Sequence, residues 1–169
     1  MSMADLSRLD DIAFDVVECA CAHGASVALA ESLTAGLVAS AIAAIPGASR
    51  VLLGSAVTYT DTVKQRLLGV SKRTISLRSA VSRETACEMA QGARRLFGAD
   101  ISVSLTGYAG PGGGTPIDPV GTVYLAVSDN YGTCCERDAF VGDRNEIRLL
   151  CARRALELLL EHLAKIPCD

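Results

Sequence analysis

Apolar positions at helical spacing open the chain. Leu6, Leu9, Ile12, Ala13, Val16 and Val17 share one stripe of a helix predicted over residues 5–22, with Gly24 ending it. The uninterrupted run "SVALA" (26–30) predicts a buried strand, and "TAGLVASAIAAIPG", from residue 34, predicts a helix stopped by Pro46-Gly47. "RVLLGSAVTYT" (50–60) has the β-branched and aromatic content of a strand, and Thr60 or Asp61 can cap a short helix, "TVKQRLLG". After a linker, Ser82 caps a helix in "RETACEMAQGARRLF", ended by Gly98. "DISVSLTG" is a further core strand, leading into the loop "YAGPGGGTPIDP". "VGTVYLAVS" and "TCCERDAFVG" predict a hairpin around "DNYG", and Asp143 with Glu146 forms a capping box for a last helix over 144–163.

The elements and the composition agree on one class. Half of the 169 residues are hydrophobic, yet only 4% are aromatic, there is no Trp and there are 15 glycines. Small side chains at this density suit helices packed closely on a sheet. The expectation is an α/β protein, a single three-layer α/β/α domain with a mixed sheet spanning residues 1–169. No repeat, charge block or linker divides it.

Charge and cysteine usage remove several functions. A net charge of −3 argues against a nucleic-acid binder, which needs a basic face to replace phosphate counterions. No apolar run is long enough to span a bilayer, and the acidic N-terminus lacks the h-region of a signal peptide. The expected setting is the cytoplasm, where the seven cysteines (19, 21, 87, 134, 135, 151 and 168) are reduced small hydrophobes. Cys19, Cys21 and His23 match no tetrahedral zinc spacing, so no metal is expected. Cys134 and Cys135 point to opposite faces of their strand.

Candidate chemistry starts from scarcity. The two histidines, His23 and His162, fall near predicted helix ends, away from any plausible active loop. A nucleophilic serine would therefore need another base, and a lysine of depressed pKa is the remaining type. Ser32, at the strand–helix junction in "ALAESLTAG", reads either as a helix cap or as such a nucleophile. Lys64 is one of three lysines and sits at the start of a predicted helix, where the dipole disfavours its charge. Tyr59, five residues earlier, can orient the amine or relay a proton; the plain alternative is a surface lysine beside an exposed tyrosine. "TGYAGPGGGTP" follows a strand, with four glycines among positions 110–114 that allow close backbone approach to an anion. It lacks the Walker lysine and breaks G-x-G-x-x-G at Thr115, so a flexible turn-rich loop is its other reading.

Together, "AESLTAG", "PGASRVLLGSAVTYTDTVKQRLLGV", "AVSRETACEMAQGAR", "GADISVSLTGYAGPGGGTPIDPVGTVYLAV" and "GDRNEIR" closely resemble the competence/damage-inducible CinA C-terminal domain family. The resemblance runs from about residue 26 to the last helix, in the stand-alone form. In its catalytic form that family is the nicotinamide mononucleotide deamidases. The resemblance implies hydrolysis of the carboxamide of nicotinamide mononucleotide to nicotinic acid mononucleotide and ammonia, with no metal or organic cofactor. It assigns the nucleophile to Ser32, and Tyr59 and Lys64 to its activation, directly or through the tyrosine. Substrate contacts fall on Glu31, Thr34, Gly36, Thr106, Gly107, Gly110, Gly112, Gly113, Gly114 and Arg144. The glycine loop and Arg144 are the candidates for the phosphate, and N–H groups at the start of helix 34–45 for the oxyanion. The expected partner is that nucleotide, in a homodimer or higher homo-oligomer, with neither nucleic acid nor membrane.

Three positions depart from the family pattern A-E-S-C-T-G-G and its loop. Leu33 replaces Cys, Ala35 replaces Gly, and Tyr108 stands where a small aliphatic residue is usual. All three are expected to reshape the pocket. The alternative function is a non-catalytic nucleotide-binding or regulatory module that keeps the fold, and a plain structural domain is a third reading.

Overall fold

The structure is a computed structural model that describes residues 3–166, with side chains from Leu9 onward, so the predicted packing of the Leu6 side chain is not described and Cys168 lies outside the described residues. Its elements are, in chain order, α1 (Met3–Ala22), β1 (Val27–Glu31), α2 (Leu37–Ala43), β2 (Leu52–Val57), α3 (Asp61–Leu68), α4 (Lys72–Arg78), α5 (Arg83–Phe97), β3 (Ile101–Gly107), β4 (Thr122–Ser128), β5 (Thr133–Ala139) and α6 (Arg144–Leu163). The five strands form one mixed sheet in the order β2-β1-β3-β4-β5. β1 runs parallel to both β2 and β3, while β3–β4 and β4–β5 are antiparallel.

Alternation along the strands builds the two faces. Val27 and Leu29 of β1 join Ile101, Val103 and Leu105 of β3 and Val123, Leu125 and Val127 of β4 on one face. There they meet Leu9, Ala13, Val16, Val17 and Ala20 of α1 and Ile147, Cys151, Ala155 and Leu159 of α6. Each fully buried Leu or Ile in this layer contributes about 1.5–3 kcal/mol of transfer free energy. The opposite face is built of small residues, so α5 approaches closely. Ala30 and Ala56 pack against Met89 and Ala93, and Ala126 and Cys135 pack against Ala86 and Ala90. The hydroxyls of β3 bind across the same gap: Ser102 donates to Ala90 O (2.7 Å), Ser104 to Ala86 O (2.6 Å) and Thr106 to Ala80 O (2.8 Å). Cys135 thus faces α5 from inside, while Cys134 is exposed on the other face.

Caps fix most boundaries where the sequence places them. Thr60, rather than Asp61, caps α3; Ser82 caps α5 by accepting from Thr85 N; and Asp143 and Glu146 close a reciprocal capping box on α6. Three expectations need correction. The linker before Ser82 contains α4, whose cap, Ser71, accepts from Arg73 N. The strand expected over 50–60 is confined to Leu52–Val57, because 48–50 close a 3₁₀ turn. α2 begins at Leu37, not at residue 34, because Ala35 (φ 53°) and Gly36 (φ 96°) are left-handed and hold the chain out of the helix. No helix among the described residues is long and apolar enough to cross a membrane.

Candidate active site

Parallel strands deliver chain ends to one edge of the sheet, the usual place for a site in an open α/β sheet. Ser32 follows β1, Tyr59 follows β2 and the glycine loop follows β3. Ser32, Tyr59, Lys64, Thr106, Gly107, Gly110, Gly112 and Arg144 all line one cleft of about 200 Å³ there.

Its centre is a pair. Lys64 lies one turn into α3, and its side chain runs inward until only 2% of the residue is exposed. Its Nζ is 3.0 Å from Ser32 Oγ and donates to the Thr58 carbonyl at 2.8 Å. Burial lowers the Lys64 pKa, and the Asp61 carboxylate opposes that shift only in part. The downward direction matches the sequence expectation, but burial rather than the helix dipole is the main cause. A neutral Lys64 can donate one N–H to Thr58 O while its lone pair accepts the Ser32 hydroxyl proton.

Tyr59 stands apart from that pair. It is 55% exposed, and its hydroxyl accepts from Arg144 Nη2 at 2.7 Å. Arg144 also donates from Nη1 to Gly110 O at 2.7 Å, so one guanidinium ties the glycine loop to the turn after β2. The Ser32–Lys64 contact is therefore direct and needs no phenol between them.

Glu31, Thr34 and Gly36 are expected at the substrate, yet none of them lines the cleft. Glu31 is fully buried, and its carboxylate accepts from Gly36 N (2.8 Å), Val38 N (3.3 Å), Ala39 N (2.9 Å) and Ser55 Oγ (3.2 Å). It caps α2 from five residues away, which also corrects the expectation that those N–H groups hold an oxyanion. Thr34 is buried with its Oγ1 unpartnered, so it does not cap the helix either. Gly113 and Gly114 likewise lie outside the cleft lining. The Tyr108 ring leans on Gly113, where a Cβ would lie 3.3 Å from it, and a Cβ on Gly114 would overlap the Val120 amide.

Of the three departures, Leu33 and Tyr108 line the cleft but Ala35 does not. Ala35 matters through its left-handed backbone rather than through pocket shape. Arg148 is a residue that the sequence reading misses. Its Nε donates to Leu33 O and its Nη2 to Thr34 O, both at 2.9 Å, which pins the carbonyls that follow Ser32. Its position one helical turn beyond Arg144, on the same face of α6, is the signal that could have found it. Thr58, whose contribution is a backbone carbonyl, leaves no such trace.

Comparison with known proteins gives one answer. The sequence model of the CinA C-terminal domain matches residues 9–163. A CinA-like protein of Myxococcus xanthus is 49% identical over 145 residues, covering 85% of this chain and 34% of its own length. One from Thermotoga maritima is 44% identical over 138 residues, 82% of this chain and 34% of its own. The chain thus spans about a third of these curated relatives. Among solved structures, a competence/damage inducible protein of Agrobacterium tumefaciens superposes with TM-score 0.89 at 39% identity, covering 94% of this chain and 96% of its own. The competence damage-inducible protein A of Klebsiella pneumoniae gives 0.91 at 34% identity, with 94% and 99% covered.

Proposed function

Since this chain belongs to the CinA C-terminal domain family, we propose that it is an amidohydrolase that converts nicotinamide mononucleotide to nicotinic acid mononucleotide and ammonia. The observation that carries the reading is the buried lysine amine held 3.0 Å from a serine hydroxyl in an open cleft. A structural lysine gains nothing from that burial, whereas a lysine that must accept a proton needs its pKa brought down.

The chemistry follows from the hydrogen bonds. Neutral Lys64 takes the Ser32 proton as Oγ adds to the carboxamide carbon, while Thr58 O keeps the amine aimed. The proton passes from Lys64 to the nitrogen, ammonia leaves and an ester to Ser32 remains. Lys64 then deprotonates water, which releases the acid and restores Ser32. The oxyanion donor comes from the turn itself: of Leu33 and Thr34, which follow Ser32, Leu33 lines the cleft and its N–H donates to no acceptor among the described residues. Arg148, holding the carbonyls of these two residues, positions that turn.

The cleft is smaller than the ~300–1,000 Å³ common for ligand sites, which suits a pyridinecarboxamide held inside with ribose and phosphate toward the mouth. Arg144 and the backbone of Gly110 and Gly112 stand there for the phosphate, since guanidinium and amide donors match its oxygens. The test is ammonia release from nicotinamide mononucleotide by the purified protein and by Ser32→Ala. Saturable binding of the nucleotide without ammonia would assign the chain to the non-catalytic module, and full activity in Ser32→Ala would overturn the mechanism.

A further inference from the structure

A second cluster lies at the opposite end of the sheet, where the β4–β5 turn meets the last turn of α6. His162 Nε2 is 3.3 Å from Cys134 Sγ, and His162 Nδ1 is 3.3 Å from Asp129 Oδ2. Asp129 is itself fixed, because its Oδ1 accepts the N–H groups of Tyr131 (2.8 Å) and Gly132 (3.0 Å). With Oδ2 accepting from Nδ1–H, the Nε2 lone pair faces the Cys134 thiol. The three side chains border a cavity of about 300 Å³, walled also by Val127 and Tyr131. Nucleophile, base and orienting carboxylate thus stand in the order that activates a thiol beside space for a small molecule. Metal binding is the competing use, but no group of three His, Cys, Asp or Glu among the described residues is disposed to hold an ion.

We propose that Cys134, His162 and Asp129 form a thiol-exchange site that takes small disulfides and carries them as a mixed disulfide on Cys134. Burial, with the Asp129 and Glu136 carboxylates, raises the Cys134 pKa against the opposing effects of the Val127 amide and Lys165, so the thiol rests protonated. Its activation therefore depends on His162 at the moment of attack. The Cys134 S–H proton moves to His162 Nε2 as the sulfur attacks one sulfur of the disulfide. The new S–S bond forms as the old one breaks, and the departing thiolate takes the proton from His162. Cys134 is oxidised as the leaving sulfur is reduced, with no outside electrons. Asp129 acts through His162 and is a positioning residue.

The test treats the protein with glutathione disulfide and follows adducts by intact mass and peptide mapping. The expected first adduct is at Cys134, slowed about tenfold or more in His162→Asn and severalfold in Asp129→Asn, as loss of a general base predicts. The pH dependence of the rate should steepen in His162→Asn, which then follows thiolate alone. Cys87 is the competitor, its pKa lowered to about 7 chiefly by a hydrogen bond with Cys135. A first adduct on any other cysteine, Cys87 included, no adduct on Cys134, or an unchanged Cys134 rate in His162→Asn each overturns the proposal. Cys151, fully buried, reports folding; if it is labelled in His162→Asn, the Asp129→Asn rate decides.

Discussion

Lys64 Nζ and Ser32 Oγ, 32 positions apart in the chain, meet at 3.0 Å inside a cleft edge formed by parallel strands. Neither residue alone distinguishes chemistry from structure: cap serines are common, and so are helical lysines. Their contact, with the lysine buried, is found neither in a cap serine nor in a surface lysine. Ser32 caps no helix, since Glu31 serves α2, and Lys64 makes no ion pair among the described residues.

The dyad should behave as a unit. Ser32→Ala and Lys64→Ala are each expected to lower ammonia release about 10³-fold or more, and the double variant little further, because groups acting in one step are not additive. Steady-state assays of all three check this. Additive losses would separate the two residues mechanistically.

The burial of Lys64 also has a pH signature. Its folded pKa lies below the ordinary 10.5, so between the two values the unfolded chain binds a proton that the native state lacks. Stability therefore rises with pH across that window, and below the folded value the full penalty applies. Lys64→Met should flatten this slope in urea midpoints measured from neutral to alkaline pH, and raise stability at the low end. Deamidation by the wild type should rise over the same window as the amine deprotonates. A slope unchanged in Lys64→Met would place the linkage elsewhere.

Much of this was legible in the sequence, for a physical reason. Periodicity and caps are local, so α5, β3, the hairpin and the Asp143–Glu146 box could be read directly. Ser32 and Tyr59, which follow strands, and Lys64, in the first turn of α3, line one cleft, but no spacing rule could give the direct contact between Ser32 and Lys64. What escaped were interactions carried by backbone or over distance. Glu31 resembles a site carboxylate, yet it is absorbed by N–H groups five to eight residues on. Helix α4 was hidden because it buries none of its residues and so lacks an apolar stripe.

Glu31→Gln tests that structural role. Exchanging the carboxylate leaves one amide oxygen and an NH₂ donor facing the N–H groups of Gly36, Val38 and Ala39. The expected loss is about 1–3 kcal/mol of stability, the cost of buried donors left unpaired. Chemical unfolding measures it; a change below a few tenths would mean that α2 has another cap.

Ala35→Gly is expected to act in the other direction. At φ 53° the Ala35 side chain bears the left-handed penalty that glycine avoids, about 1 kcal/mol. The variant should unfold at a higher temperature without any change in KM, since Ala35 lies outside the cleft lining. A changed KM would show that its methyl reaches the substrate through the Ser32 turn.

Tyr108 poses the question of specificity. With Val81 it belongs to the wall shared by the 200 Å³ cleft and a neighbouring groove of about 690 Å³. Tyr108→Ala would join the two spaces while leaving the Ser32–Lys64 contact untouched. A substrate held by that wall should then bind less tightly, raising KM several-fold with kcat nearly kept, the pattern of lost uniform binding. Bulkier pyridine nucleotides should gain relative to nicotinamide mononucleotide in kcat/KM, because the ring no longer closes the cleft. A kcat that falls as far as in Ser32→Ala would instead put Tyr108 in the chemistry, and unchanged constants would make the ring a support for Gly113 alone.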